Sequence, residues 1–423
     1  MLELRPAIVV ESESGQDAEQ QLVVALVDGV GDDGGPGALG RAGGAGGAGG
    51  AGPHSSAGPP RAAICDTTLL GRAEPGDRVI VNTAALDRGL GSGGFDIVHV
   101  NLTRGLRAAT APAGGDPAGV MKLNYTSLQH GVDPVEDRHG GGAADLQVPL
   151  GRPVAVLALH GQLAAVAWAF AQGAPEGARL GFVQTGGGAL PGGHSRAVAA
   201  LRERGLLAGH ITAGAAFGGE LEAVTTAGAL HHGLSELGWD AAVCGPGPGI
   251  VGSGSALGHG GMAALDSAHV ALALGCPTLL VARLSGADAR PRHRPISHHT
   301  LTVLDLLLEP VTVALPAGVR SPVGAELRAG LADVFATEAS GRPALGPDVP
   351  RPVRITRHDW RRAPVDLAAF AASGLAASTM GRGPAQDPLF FGAALAGGAA
   401  LAQLQESAET DRAAAGAADV ERV

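Results

Sequence analysis

The chain has 423 residues, 45% of them hydrophobic, which is enough for two or three domains with substantial cores. Aromatic residues are only 3%, so alanine, valine and leucine must fill those cores. The net charge of −10 argues against a nucleic-acid surface. Lys122 is the sole lysine among 30 basic residues, which leaves phosphate binding to arginine and backbone and removes Schiff-base chemistry everywhere else.

Residues 1–105 read as short strands without a long amphipathic helix: Ala7–Val10, Gln21–Val27, Arg61–Ile64, Arg78–Asn82 and Ile97–Leu102. A small β-barrel or sandwich is expected. A Gly/Ala/Pro insertion at about 29–60 is too poor in apolar residues to fold. Leu86–Gly94 is a glycine loop between two strands. Residues 106–150 read as a linker and bridging segment around Met121–Leu128, with Lys122 more often solvated than functional. The N-terminus does not have the pattern of a signal peptide, and the apolar run Phe390–Leu404 is too short and too rich in Ala and Gly to span a membrane. A cytoplasmic protein is expected, with no nucleic-acid or membrane partner and with a homo-oligomer left open. The three cysteines, Cys65, Cys244 and Cys276, form no CxxC pair, and Cys244 and Cys276 read as small core residues.

From residue 151 to about 405 apolar runs alternate with helical patterns: Val154–Leu159, Leu180–Gln184, Ile211–Ala213, Ala241–Cys244, Thr278–Ala282 and Val311–Leu315. Later come a strand at Val353–Thr356, a helix at Val365–Ser373, a strand at Ala376–Met380 and a helix at Phe390–Gln405, with a frayed tail at 406–423. Strands alternating with helices mean a mostly parallel, doubly wound sheet with helices on both faces. The fold class is therefore α/β behind an N-terminal barrel.

Ligands of such sheets bind outside the carboxyl ends of the strands. The loop Cys244–Gly258 follows one strand and leads to the helix Met262–Leu274. Its Gly247, Gly249, Gly252, Ser253, Gly254 and Ser255 could cradle a phosphate with backbone N–H groups. The Gly247-x-Gly249-x-x-Gly252 spacing matches a dinucleotide fingerprint by letter, but the loop runs on too far and no ribose-binding acid follows. The loop Ser285–Thr300 is the densest polar constellation. Arg292 and Arg294, with Arg382 from a later loop, could clamp an anion. His293, His298 or His299 could transfer protons with Asp288 or Glu220. Gly218 and Gly219 precede Glu220 and Glu222 in what reads as a helix start. His298 and His299 are adjacent, so on a helix they diverge by about 100° and do not easily share one metal. Cofactors are unknown. A divalent metal is a candidate only with partners such as His160, Glu220 or Asp288, and no HxH or HExxH spacing is present.

Several stretches together carry a resemblance. They are Pro75-Gly76-Asp77-Arg78-Val79 with Asn82-Thr83 and Gly89–Gly94; Met121-Lys122-Leu123; Phe217–Val224; Gly247–Gly254; Arg292-His293-Arg294 with Ser297–Thr300; and Thr379–Gly383. In these the chain resembles a bacterial family catalogued as domain of unknown function 3866, over nearly its whole length. That resemblance implies no activity. The residues themselves favour a hydrolase or transferase acting on a phosphorylated or nucleotide-like small molecule. The alternative is a non-catalytic nucleotide- or anion-binding regulatory protein.

Overall fold

The computed structural model describes residues 2–13, 18–27, 57–90, 93–106, 119–138, 146–318, 323–339, 355–375 and 377–420. The chain divides into two compact units, Met1–Asp116 and Pro117–Val423.

The first unit is a closed five-stranded barrel in the order β1-β2-β3-β5-β4. Its strands are β1 (Leu4–Ser12), β2 (Glu19–Val27), β3 (Ala57–Asp66), β4 (Arg78–Asn82) and β5 (Asp96–Asn101). Helices α1 (Thr67–Leu70) and α2 (Ala84–Asp87) are single turns. Ala7 and Val9, Leu22 and Val24, Ala63 and Cys65, and Val79 and Val81 point inward, the period of two that a half-buried strand requires. Most of the Gly/Ala insertion lies outside the described residues. Its last positions, 57–60, open β3. The Leu86–Gly94 loop begins inside α2 and joins β4 to its antiparallel neighbour β5.

In the second unit, β6 (Val120–Lys122) and β7 (His130–Val132) form a short antiparallel pair. The eight-stranded sheet runs in the order β11-β10-β9-β12-β8-β13-β14-β15, and every pairing is parallel. The strands are β8 (Val154–Leu157), β9 (Leu180–Thr185), β10 (Gly209–Ala213), β11 (Leu221–Ala223), β12 (Ala241–Pro246), β13 (Thr278–Val281), β14 (Thr312–Pro316) and β15 (Asp359–Ala363). The inner strands are buried on both faces, which is why they read as unbroken apolar runs.

Two cores flank the sheet. One is built with α5 (Thr226–His231), α6 (Ala263–Ala273), α7 (His298–Leu306) and α8 (Val323–Ala339). The other is built with α3 (Leu163–Gly173), α4 (Arg196–Glu203), α9 (Leu367–Ala372) and α10 (Pro388–Val420). The chain leaves β8 toward one face and β12, its neighbour, toward the other. The strand order reverses there, and this is where open α/β sheets form a crevice at their carboxyl edge.

Small residues build the packing. Trp239, fully buried, lies against Gly181, Gly209 and Gly233; a Cβ on Gly181 would stand 1.9 Å from its ring. Gly398 of α10 faces the backbone of α3, where a Cβ would fall 2.2 Å from the Val166 carbonyl. Close backbone approach replaces aromatic bulk, as the 3% aromatic content demands.

The edges differ from the sequence expectation. Of the strand expected at Val353–Thr356, residues 353 and 354 lie outside the described residues, and Ile355 and Thr356 belong to a 3₁₀ turn (Ile355–Arg357) that precedes β15, which reads Asp-Trp-Arg-Arg-Ala and lacks an apolar run because an edge strand is half solvated. Ala376–Met380 forms no strand among its described residues. Met380 and Gly381 both take positive φ, 48° and 75°, in a tight turn bridging Thr379 to Arg382. Glu220 and Glu222 lead into and lie within β11, not a helix start. The expected frayed tail is helical through Val420 as part of α10. By length and composition α10 could cross a membrane from Pro388 to Arg412, but 78% of its apolar window is buried within the fold.

Candidate functional site

Four histidines meet at the carboxyl edge, beyond β12, β8 and β13. His259 follows the loop after β12 and precedes the 3₁₀ turn Gly260–Met262 that opens α6. His293 closes a 3₁₀ turn after β13. Ser297 caps α7: its hydroxyl accepts from the His299 N–H at 3.2 Å and lies 2.7 Å from His293 Nδ1. His298 and His299 are the first two residues of α7.

The His259 and His299 rings stack with centroids 3.6 Å apart and planes 12° from parallel. His298 meets His299 at 4.5 Å and His259 at 5.3 Å, both edge to face. His293 lies 5.0 Å from both His298 and His299. One potential ligand atom from each of His259, His298 and His299 falls within 4.8 Å of the others. The divergence expected of adjacent helical residues does not separate this pair, because His259, from another element, fills the angle between them.

Among the described residues, both ring nitrogens of His259 and Nε2 of His298 are buried without a well-formed hydrogen bond. Burial, the largest cause, holds all four imidazoles neutral: His299 is pushed down to about 2 and His293 to about 3, and His259 and His298 are also lowered. Arg283 adds to the effect at His299 and His293, and Arg292 at His298. Arg283 Nη1 donates to His299 Nδ1 at 2.9 Å, which leaves the ring proton on Nε2.

A buried ion network supports the loop. Asp288 faces Arg290 at 2.9 Å, Arg283 at 3.3 Å and Arg382 at 3.6 Å. Asp387 accepts from the Ser285 hydroxyl at 2.5 Å, the Gly286 N–H at 3.1 Å and Arg382 at 3.4 Å. Three guanidiniums therefore face two carboxylates, and Asp288 is held ionised well below the usual carboxylate range despite its burial. It anchors the loop and is a poor proton shuttle. Arg292 and Arg294 stand exposed on the same loop.

The loop after β12 is a hairpin, not a wrap around a helix terminus. Residues 251–258 are exposed. Ser253 N–H donates to the Gly258 carbonyl at 2.7 Å, Gly260 N–H to the Val251 carbonyl at 2.8 Å, and the Ser253 and Ser255 hydroxyls bond each other at 2.8 Å. Glycines at the base allow loops to touch: a Cβ on Gly188 would fall 2.3 Å from the Gly247 carbonyl, and one on Gly260 2.3 Å from the Gly187 carbonyl.

The remaining candidates lie elsewhere. His160 Nε2 pairs with Ser195 Oγ at 2.7 Å, its Nδ1 with the Pro246 carbonyl at 3.2 Å, and burial pushes the imidazole down to about 4. Glu220 is exposed and paired with Arg202. Gly218 N–H donates to Glu222 at 2.7 Å, and Gly219 N–H to Thr212. His160, Glu220 and Asp288, the trio considered for a metal, each have a different partner and are not gathered around one point. Lys122 is buried, ion-paired with Glu222 at 3.1 Å, and donates to the carbonyls of Gly214 at 2.9 Å and Ala216 at 2.8 Å. All three of its protons have acceptors.

Two cavities are formed by other residues. One of about 360 Å³ lies beside Arg179 and Leu180, before β9; the other, of about 210 Å³, lies between Pro316 and α8.

The family model for proteins of unknown function designated DUF3866 matches residues 62–398. The chain belongs to this family. The match begins inside β3, so β1 and β2 precede it, while the whole sheet and every histidine of the cluster fall within it. No curated protein and no solved structure matches the chain.

His259, Arg283, Arg290 and Asp387 escaped the sequence reading. The only local mark of His259 is its setting, Gly258-His259-Gly260-Gly261, where a lone imidazole interrupts glycines just before a helix.

Proposed function

We propose that the DUF3866 chain binds a small anionic molecule, phosphorylated or nucleotide-like, at the carboxyl ends of β12, β8 and β13, and acts on it as a hydrolase or transferase. One observation carries this: neutral, buried imidazoles with unpartnered nitrogens stand beside a guanidinium-rich loop where the strand order reverses. Arg292 and Arg294 supply the anion contacts, because their side chains are exposed while Arg283, Arg290 and Arg382 are held by Asp288 and Asp387. His298 is half-buried, neutral and unpartnered at Nε2, and is the imidazole that acts on the bound molecule. The Ser253–Ser255 hairpin takes no part in holding the anion, because its hydroxyls and several of its amides are bonded internally.

The test is a thermal-shift panel of nucleotides, sugar phosphates and acyl phosphates, followed by turnover assays on each molecule that raises Tm. Joint replacement of Arg292 and Arg294 by Ala should weaken binding about tenfold or more. His298→Ala should lower kcat by about 100-fold. A ligand that binds and is never turned over would make the chain a non-catalytic binding protein. A panel with no shift would remove the anion site.

A further inference from the structure

We propose that His259, His298 and His299 bind a divalent transition metal of the zinc kind. This deepens the functional reading above, resting on the same cluster, and names the reaction centre.

The donor set is the first reason. Imidazole nitrogen suits zinc, cobalt, nickel, copper and iron, and disfavours magnesium and calcium. Three such donors with a fourth position open form the pattern of catalytic rather than structural zinc.

The second reason is the state of the nitrogens. Three buried ring nitrogens find no hydrogen-bond partner in good geometry among the described residues, at a cost of about 1–3 kcal/mol each that a bound metal ion would offset.

The third reason is space. A Cβ on Gly261 would lie 3.1 Å from His259 Nδ1 and 3.4 Å from His299 Nδ1, so both atoms face the bare Cα of that residue. The three ligand atoms, within 4.8 Å of one another, need small ring rotations to reach the roughly 3.3 Å spacing that metal–nitrogen bonds of about 2.0–2.1 Å impose.

Arg283 sets the condition for ligation. Its guanidinium occupies His299 Nδ1, so that nitrogen ligates only when Arg283 withdraws, and Asp288 at 3.3 Å is its standing partner. Three neutral ligands leave the ion's charge uncompensated, and Asp288 is already taken by arginines. An anion completes the coordination, which links the metal to a phosphorylated ligand.

The test uses the full chain, stripped with chelator, reconstituted with Zn²⁺ or Co²⁺ and desalted. About one ion per chain is expected by elemental analysis, with a visible Co²⁺ spectrum lacking the intense thiolate band, because the buried cysteine thiols are pushed up to about 12. His259→Ala and His298→Ala should each weaken binding about tenfold or more, while His160→Ala retains the metal. Should His259→Ala fail to fold, His298→Ala, half-buried at a helix start, carries the test. No bound metal after reconstitution, or metal retained by both variants, overturns the proposal. Metal bound at this site by a chain that neither binds nor turns over a phosphorylated molecule would instead overturn the functional reading and leave the metal site standing.

Discussion

Two places on one sheet edge treat buried polarity in opposite ways. Beyond β10, Lys122 is enclosed by Glu222 and by backbone carbonyls, and no donor is left over. Beyond β13, four imidazoles crowd together and several of their nitrogens find nothing to bond. Both clusters are buried, and both contain groups that sequence inspection treats as candidates. The difference is saturation. A saturated cluster stabilises the fold; an unsaturated one is held in place by the fold and awaits a further partner.

The sharpest way to break this contrast is Lys122→Met. Removing the ammonium takes the counter-charge from Glu222 and the donor from the Gly214 and Ala216 carbonyls, which should cost about 4 kcal/mol in urea unfolding, the range for breaking a buried pair. A loss below 1 kcal/mol would mean that the lysine is not structural.

Acid should weaken the other cluster. Buried His293 and His299, with His210 elsewhere in the sheet, protonate at about 2 to 3 in the folded chain and near 6.5 when unfolded. Below 6.5 the unfolded chain therefore binds more protons, and stability falls as pH falls through that window. Between pH 7 and pH 5 each of these rings should lower the unfolding free energy by about 2 kcal/mol, read as a falling urea midpoint. A flat profile would mean that these rings are hydrated.

The smallest effect is the most telling. His259→Phe removes two unpartnered nitrogens and keeps an aromatic ring against His299, so stability should change by less than about 1 kcal/mol, or rise. A loss as large as that of Lys122→Met would show that His259 has a structural bond, and the contrast between the clusters would fail.

Most of the fold was legible because its strands are buried on both faces and announce themselves as apolar runs. The edges were not: β15 is polar along its length, β11 is three residues long, and Thr379–Arg382 turns where a strand was expected. The site was half legible. His293, His298, His299 and Asp288 share one loop, so local composition gathers them. His259 and Asp387 come from loops distant in sequence, and Arg283 sits at the end of β13, where its apolar neighbours hide it. Proximity made by topology leaves no trace in spacing. The role of Asp288 also depended on the fold, since only there do three guanidiniums converge on it. Glycine was the least informative letter. At Gly181, Gly188 and Gly260 it makes room for protein and not for a ligand.

The enclosure of Lys122 has one more consequence. Acylating reagents directed at primary amines have a single side-chain target in this chain, and the native fold shields it. Surface attachment or cross-linking through side-chain amines will therefore not reach Lys122 in the native fold, and modification of that side chain will mark molecules in which the end of β10 has opened.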